Sequence, residues 1–258
     1  MVVPIRPGGT VSAPLDTWLR RPRPVAAPRL RLVCFPHAGG AASFFREWPG
    51  WLPADVEVAA VCYPGREDRI LDDCVADMAG LADPVADALA GWTDRPLVFF
   101  GHSMGASVAH EVALRMEARH GDVVRRLLVS SRAAPPRLNP SGLSRQGDEA
   151  LLADVFSLGG AFSEVLNDPD IRELMLPAIR ADYRLLDDYR PDPDARLNAP
   201  VSAFVGDDDP HVPVADMESW AQVTRGGFEL TVFPGDHFYL VPRGPELAGR
   251  IGESLTRG

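Results

Sequence analysis

The sequence predicts an α/β protein: a mainly parallel central sheet flanked by helices, with a helical lid insertion. Three observations carry this expectation. Six short apolar runs recur along the chain, helical segments separate most of them, and one long stretch, about residues 139–198, contains helical stripes but no strand. Strands covered on both faces read as continuous apolar runs rather than alternating ones, and crossover helices between them imply parallel pairing.

The strand candidates are RLRLVCFP (residues 29–36), VEVAAVCYP (56–64), PLVFFGHS (96–103), RRLLVSS (125–131), PVSAFVG (200–206) and FELTVFPG (228–235). Most end in Pro, Gly or Ser, which places their loops at the carboxyl ends of the strands, where open α/β sheets bind ligands. Residues 72–92 form a helix candidate interrupted by Pro84, and residues 105–121 form a second with Val108, Val112, Leu114 and Met116 on its sheet-facing side. Within the insertion, Leu151, Leu152, Val155 and Phe156 make one stripe; Ile171, Leu174, Met175, Ile179, Tyr183 and Leu186 make another. A helical excursion of this length beside the strand ends is expected to act as a lid with an apolar inner face. FSLGGAF at residues 156–162 is its expected hinge or flexible wall.

Residues 1–17 are expected to be a flexible tail and 18–258 a single domain; the basic WLRRPRP at 18–24 reads as a solvated, proline-stiffened lead-in. Hydrophobic residues make up 46% of the chain and charged residues 24%, a soluble globular balance that excludes extensive disorder. No apolar run is long enough to span a bilayer, and Pro and Gly break up the N-terminal segment where a signal peptide needs continuity. A formal charge of −10 argues against nucleic acid or an anionic membrane as partner. Cys34, Cys62 and Cys74 lack metal-ligand spacing and read as free thiols, which implies a reducing, cytoplasmic setting. No metal or cofactor site is expected, and a monomer is.

GHSMG, at residues 101–105, sits between an apolar strand and a helix. In that setting the two glycines permit a sharp strand-to-helix turn, and Ser103 becomes a candidate nucleophile at a helix N-terminus. A serine needs a base. His102 adjoins it and is expected to point away, while His110 and His120 belong to the helix. His237, in FPGDHFYL after the final strand, fits the chain order serine, acid, histidine, with His211 the weaker alternative. The acid comes from GDDDP: Asp209 is chosen because it lies beyond the strand end and before Pro210, with Asp208 the fallback. Met104 N–H is the natural first oxyanion donor, and Ala38 N–H, in the glycine-rich CFPHAGGAASFF, the second. Phe44 and Phe45 read as core. A phosphate-binding loop is the competing reading of that segment, but the lysine such a loop needs is missing.

RLVCFPHAGG, YPGRE (63–67), GHSMG, GDDDP and GDHFYL occur in an order and spacing that resemble type II thioesterases, the editing enzymes of polyketide synthases and nonribosomal peptide synthetases. The likeness runs from about Trp18 onward. It implies the α/β-hydrolase fold, a Ser103–Asp209–His237 triad with Met104 and Ala38 as oxyanion donors, and a free-standing enzyme. The implied substrates are aberrant or stalled acyl groups on the phosphopantetheine arm of acyl or peptidyl carrier domains. The substrate itself then carries the phosphopantetheine. Arg66 is expected to fix its loop through an ion pair, with Arg46, Arg66 and Arg69 as candidate rim residues for carrier contact. The competing functions are a small-molecule esterase or acyltransferase of the same fold, and a carrier-docking scaffold whose catalysis is dispensable.

Overall fold

The computed structural model describes residues 14–159 and 165–255. Seven strands form one sheet: β1 (Leu19–Arg20), β2 (Leu30–Phe35), β3 (Val56–Val61), β4 (Leu97–His102), β5 (Val124–Ser130), β6 (Val201–Gly206) and β7 (Phe228–Phe233). Their order is β1-β3-β2-β4-β5-β6-β7, and every pairing is parallel except β1 with β3. The longer helices are α1 (Met78–Leu89), α2 (Met104–His120), α3 (Asp148–Ser157), α4 (Pro169–Asp188) and α5 (Gly244–Ser254). All six expected strands form.

The apolar runs are continuous because both faces of the sheet are covered. On β2, Val33 and Phe35 pack with Leu81, Val85, Val108 and Val112 of α1 and α2, while Leu32 and Cys34 join the opposite core with Phe45, Trp48, Leu247 and Ile251. Period-two alternation of side chains sends successive residues to opposite layers, and each layer is apolar.

Three expectations are corrected here. Trp18 and Leu19 are buried, and Leu19–Arg20 adds an antiparallel edge strand to β3, so the start of WLRRPRP is structural rather than a solvated lead-in. Arg69 stacks 4.4 Å above the Trp18 ring, which helps hold that edge. Pro84 does not interrupt its helix: α1 runs through it. Asp77 caps α1 by accepting from Gly80 N at 2.8 Å, and its buried face on the sheet outweighs the backbone bond that proline removes. In the insertion, Leu151, Val155, Ile179 and Tyr183 form a buried cluster with Leu166, but Phe156 and Leu174 face outward. The first turns of α4 extend past the core, and its continuous burial begins near Ala178. Of the expected hinge, residues 160–162 lie outside the described residues.

The three cysteines are free, with Cys34 and Cys62 buried. No helix among the described residues is long and apolar enough to cross a membrane.

Candidate active site

Ser103 occupies the turn between β4 and α2 with φ 53° and ψ −123°, a backbone conformation that non-glycine residues rarely adopt. Its N–H donates to Ser130 O at 2.8 Å, and its carbonyl accepts from Ala106 N at 2.9 Å. The flanking glycines have a steric reason. A Cβ at Gly105 would run into the Phe35 and Pro36 carbonyls, and one at Gly101 into the backbone of Gly105. The helix therefore starts pressed against the sheet, with its unpaired N–H groups beside the serine.

Asp209 and His237 come together from the loops after β6 and β7. Asp209 Oδ2 lies 2.9 Å from His237 Nδ1, and both side chains are almost completely buried, at 0% and 3% exposure. Asp209 Oδ1 accepts from His211 N and Val212 N at 3.0 and 3.1 Å, so the carboxylate is oriented from two sides. Burial works against its charge, but the hydrogen bond and charge of His237, with the His211 N–H and the Ser131 side chain, hold it below the usual carboxylate range. The neighbouring acids are placed differently. Asp207 accepts from Gly235 N, and Asp208 is exposed. His237 Nε2 is buried without a hydrogen-bond partner among the described residues.

The other histidines separate by environment. His102 lies off the cavity wall, buried, with Nδ1 2.9 Å from Ser130 Oγ and its ring 5.0 Å from that of His237. Ser130 Oγ continues to Tyr239 OH at 2.8 Å, so a buried polar chain lies beneath the His237 imidazole. Burial and the nearby His237 and His37 push the His102 pKa well down, which keeps this chain neutral. His37 is also driven down, to about 3, by burial, His237 and Arg66. His211 pairs its Nε2 with Ser157 Oγ of α3 at 3.0 Å and so faces the lid.

The loop after β3 and the helix α4 grip the segment that follows β2. Arg66 donates to Gly40 O at 3.0 Å, while Glu67 accepts from Ala42 N and Ser43 N at 3.2 and 2.9 Å. Asp182, in the middle of α4, accepts from Gly39 N at 2.7 Å and pairs with Arg66. The residues that follow Ala38 are thus fixed by groups 24 to 26 and 143 positions away. Arg66 is buried, which removes it from the candidate rim, whereas Arg46 is exposed. Phe45 is core as expected; Phe44 is half-buried, with its ring 5.0 Å from His37.

Ser103, His237, Ala38 and His211 line one cavity of about 270 Å³, together with Leu143, Val155, Leu158, Tyr183 and Leu186 of the insertion. Asp182, which holds the loop beside Ala38, and Arg132, which lines the cavity, were not apparent from the sequence. A signal for Asp182 existed, because it shares the inner face of α4 with Ile179, Tyr183 and Leu186 at helical spacing. Arg132 gave none beyond its place just past a strand end.

The profile of the thioesterase domain family matches residues 30–255. The chain is 42% identical over 245 residues to "Thioesterase PikA5" of Streptomyces venezuelae, covering 93% of this chain and 87% of that protein. It is 40% identical over 238 residues to the "Probable cadicidin biosynthesis thioesterase" of Streptomyces griseus, covering 92% of this chain but 66% of that one. Among solved structures, the type II thioesterase BorB from the borrelidin biosynthetic cluster superposes with a TM-score of 0.86 at 38% identity, covering 92% of this chain and 97% of that one.

Proposed function

The chain belongs to the thioesterase family of the α/β-hydrolase superfamily, among the type II enzymes of polyketide and nonribosomal peptide pathways, and from this we propose what it does. It acts as a free-standing serine hydrolase that removes acyl groups from the phosphopantetheine arm of carrier domains. The observation that carries this reading is the buried Asp209–His237 pair facing the cavity that also holds Ser103 at its strained turn.

In the proposed mechanism His237 Nε2 takes the Ser103 proton as Oγ attacks the thioester carbonyl carbon. Asp209 keeps the proton of the other ring nitrogen on Nδ1 and stabilises the imidazolium. The oxyanion is held by the backbone N–H groups of Met104 and Ala38. The carbon–sulfur bond breaks, and the sulfur takes its proton from His237 and leaves as the pantetheine thiol. Water, deprotonated in turn by His237, attacks the acyl-enzyme and releases the free acid and Ser103. Residues 18–258 work as one domain in this scheme, with the insertion at 139–198 as the lid and carrier domains as partners.

The test compares one short acyl group on a carrier protein with the same group on a simple thioester, for wild type and Ser103→Ala. Faster release from the carrier, lost in the variant, is expected. Serine-dependent turnover of the simple thioester alone would leave a generic esterase of the same fold.

A further inference from the structure

The mechanism above leaves unused a chain of buried polar groups at the carboxyl end of β5. Ser130, the last residue of that strand, is fully buried and is linked to both sides of the site. Its carbonyl accepts from Ser103 N at 2.8 Å, and its hydroxyl lies 2.9 Å from Nδ1 of His102, the residue before the nucleophile. The same hydroxyl lies 2.8 Å from the OH of Tyr239, two residues after His237. Ser131, next along the chain, helps hold the Asp209 carboxylate charged through its side chain. The end of one strand thus meets the segments that carry Ser103, Asp209 and His237.

Tyr239 packs in an apolar layer with Leu128, Phe204, Phe233 and Phe238, where a side chain without a hydroxyl would pack as well. Hydrogen bonds are directional, so a buried chain of them fixes position more narrowly than apolar contact, which tolerates sliding. The base needs such a fix. Asp209 holds His237 at Nδ1, while two hydrogen bonds of the base loop, Phe238 N to Asp236 Oδ1 at 2.8 Å and Tyr239 N to Asp236 O at 3.1 Å, stay inside it. The Tyr239 hydroxyl reaches out of that loop to β5. His102 closes the contact from the nucleophile side, with its ring 5.0 Å from the His237 ring. Burial keeps the Tyr239 phenol protonated and His102 neutral. Tyr239 O–H therefore donates to Ser130 Oγ, and Ser130 O–H to His102 Nδ1, which leaves the His102 Nε2–H as the one unpaired group of the chain among the described residues. The reverse order would strand the phenol proton as well.

We propose that Ser130 and Tyr239 are positioning residues: their hydroxyl pair, closed on His102, sets the His237 imidazole at working distance from Ser103. Both lie off the cavity wall and act through the base. The proposal rests on the hydrolytic reading above and adds to it the device that joins the base loop to the nucleophile turn. Asp209 sets the tautomer of the imidazole, and the hydroxyl pair sets its reach.

The experiment uses Tyr239→Phe, Ser130→Ala and the double variant beside wild type, with Ser103→Ala as control. Tyr239→Phe removes one oxygen and keeps the ring, which stacks on Phe233 at 5.1 Å. Each enzyme is labelled with a fluorophosphonate: the endpoint counts competent sites, and the rate reads how far Ser103 is activated. Steady-state kinetics on a short acyl group carried by a simple thiol are then expressed per competent site. Both single variants are expected to lower kcat and the labelling rate by about tenfold or more with KM within about threefold, because a displaced base slows chemistry without weakening binding. The double variant should fall no more than about twofold below the worse single, as members of one chain do. Single variants with kcat and labelling within about twofold of wild type overturn the proposal and leave a structural role, even where urea melts show lost stability. A rise in KM at constant kcat overturns it in favour of cavity shape, and losses that multiply in the double variant overturn the chain. A variant that fails to fold by circular dichroism counts against it too, since its hydroxyl then serves the fold. Failure of wild type to be labelled and to turn over in a Ser103-dependent way overturns the hydrolytic reading, and this proposal with it.

Discussion

Arg66 meets Asp182 at two points, 2.8 and 3.0 Å, and so joins the loop after β3 to the middle of α4 across 116 residues of sequence. Asp182 also holds the Gly39 N–H, and Arg66 the Gly40 carbonyl. One buried pair thereby sets the shape of the loop after β2 and the seat of the helical insertion.

Asp182→Ala should be strongly destabilising, by about 3–5 kcal/mol, because it leaves a buried guanidinium uncompensated. Asp182→Asn keeps an acceptor for Gly39 and should cost less. Its kcat should fall more than its KM rises if the loop supplies the oxyanion donor proposed for Ala38. Urea melts and steady-state kinetics on both variants check this.

Asp209→Asn should lower kcat by about 10⁴ with the fold intact, through loss of the correct His237 tautomer. Asp208→Asn, on an exposed neighbour, should stay within about threefold of wild type. Comparable losses in the two would show that the acid is misassigned.

Gly105→Ala tests the close approach of α2 to β2. The added Cβ meets the Phe35 and Pro36 carbonyls, which cannot give way as a side chain can. A loss of about 3 kcal/mol in denaturant unfolding is expected.

Stability should fall steeply in mild acid. His37 is held to about 3, His110 to about 4 and His102 well below its ordinary value, each mainly by burial. An unfolded imidazole takes a proton near pH 6.5, so below that pH the unfolded chain binds protons that the folded one refuses. The stability these groups allow is present above about pH 6.5 and is lost as pH falls toward about 4, by up to about 1.4 kcal/mol per pH unit for each histidine. Asp209, held low, adds a loss only near and below about pH 4. Urea midpoints at pH 7, 6 and 5 read the slope, and His110→Gln should reduce it.

Much of this architecture was legible in the sequence because its strands are long, apolar on both faces and punctuated by Pro, Gly and Ser. The edge strand Leu19–Arg20 was not, since two residues cannot display a period and the arginines and prolines that follow read as loop. Ser103, Asp209 and His237 stood out by chain order and by the turns around them. Asp182 did not, because a single acid on an amphipathic helix looks like a register error until its partner, 116 residues earlier, is known. Leu174 misled for the opposite reason: it fits the apolar stripe of α4, but that part of the helix projects beyond the sheet.

The strand order also has a kinetic side. Ser103 belongs to the centre of the sheet, whereas Asp209 and His237 follow β6 and β7, the last two strands to be synthesised and the outermost on that side. A refolding chain that has joined β2 through β5 already owns its serine turn but not yet the Asp209–His237 pair proposed to activate it. Each further pairing closes a long loop and is slow on that account. Recovery of hydrolysis after dilution from denaturant therefore trails the recovery of helical signal, and a chain released before its last strands dock is inert rather than indiscriminate.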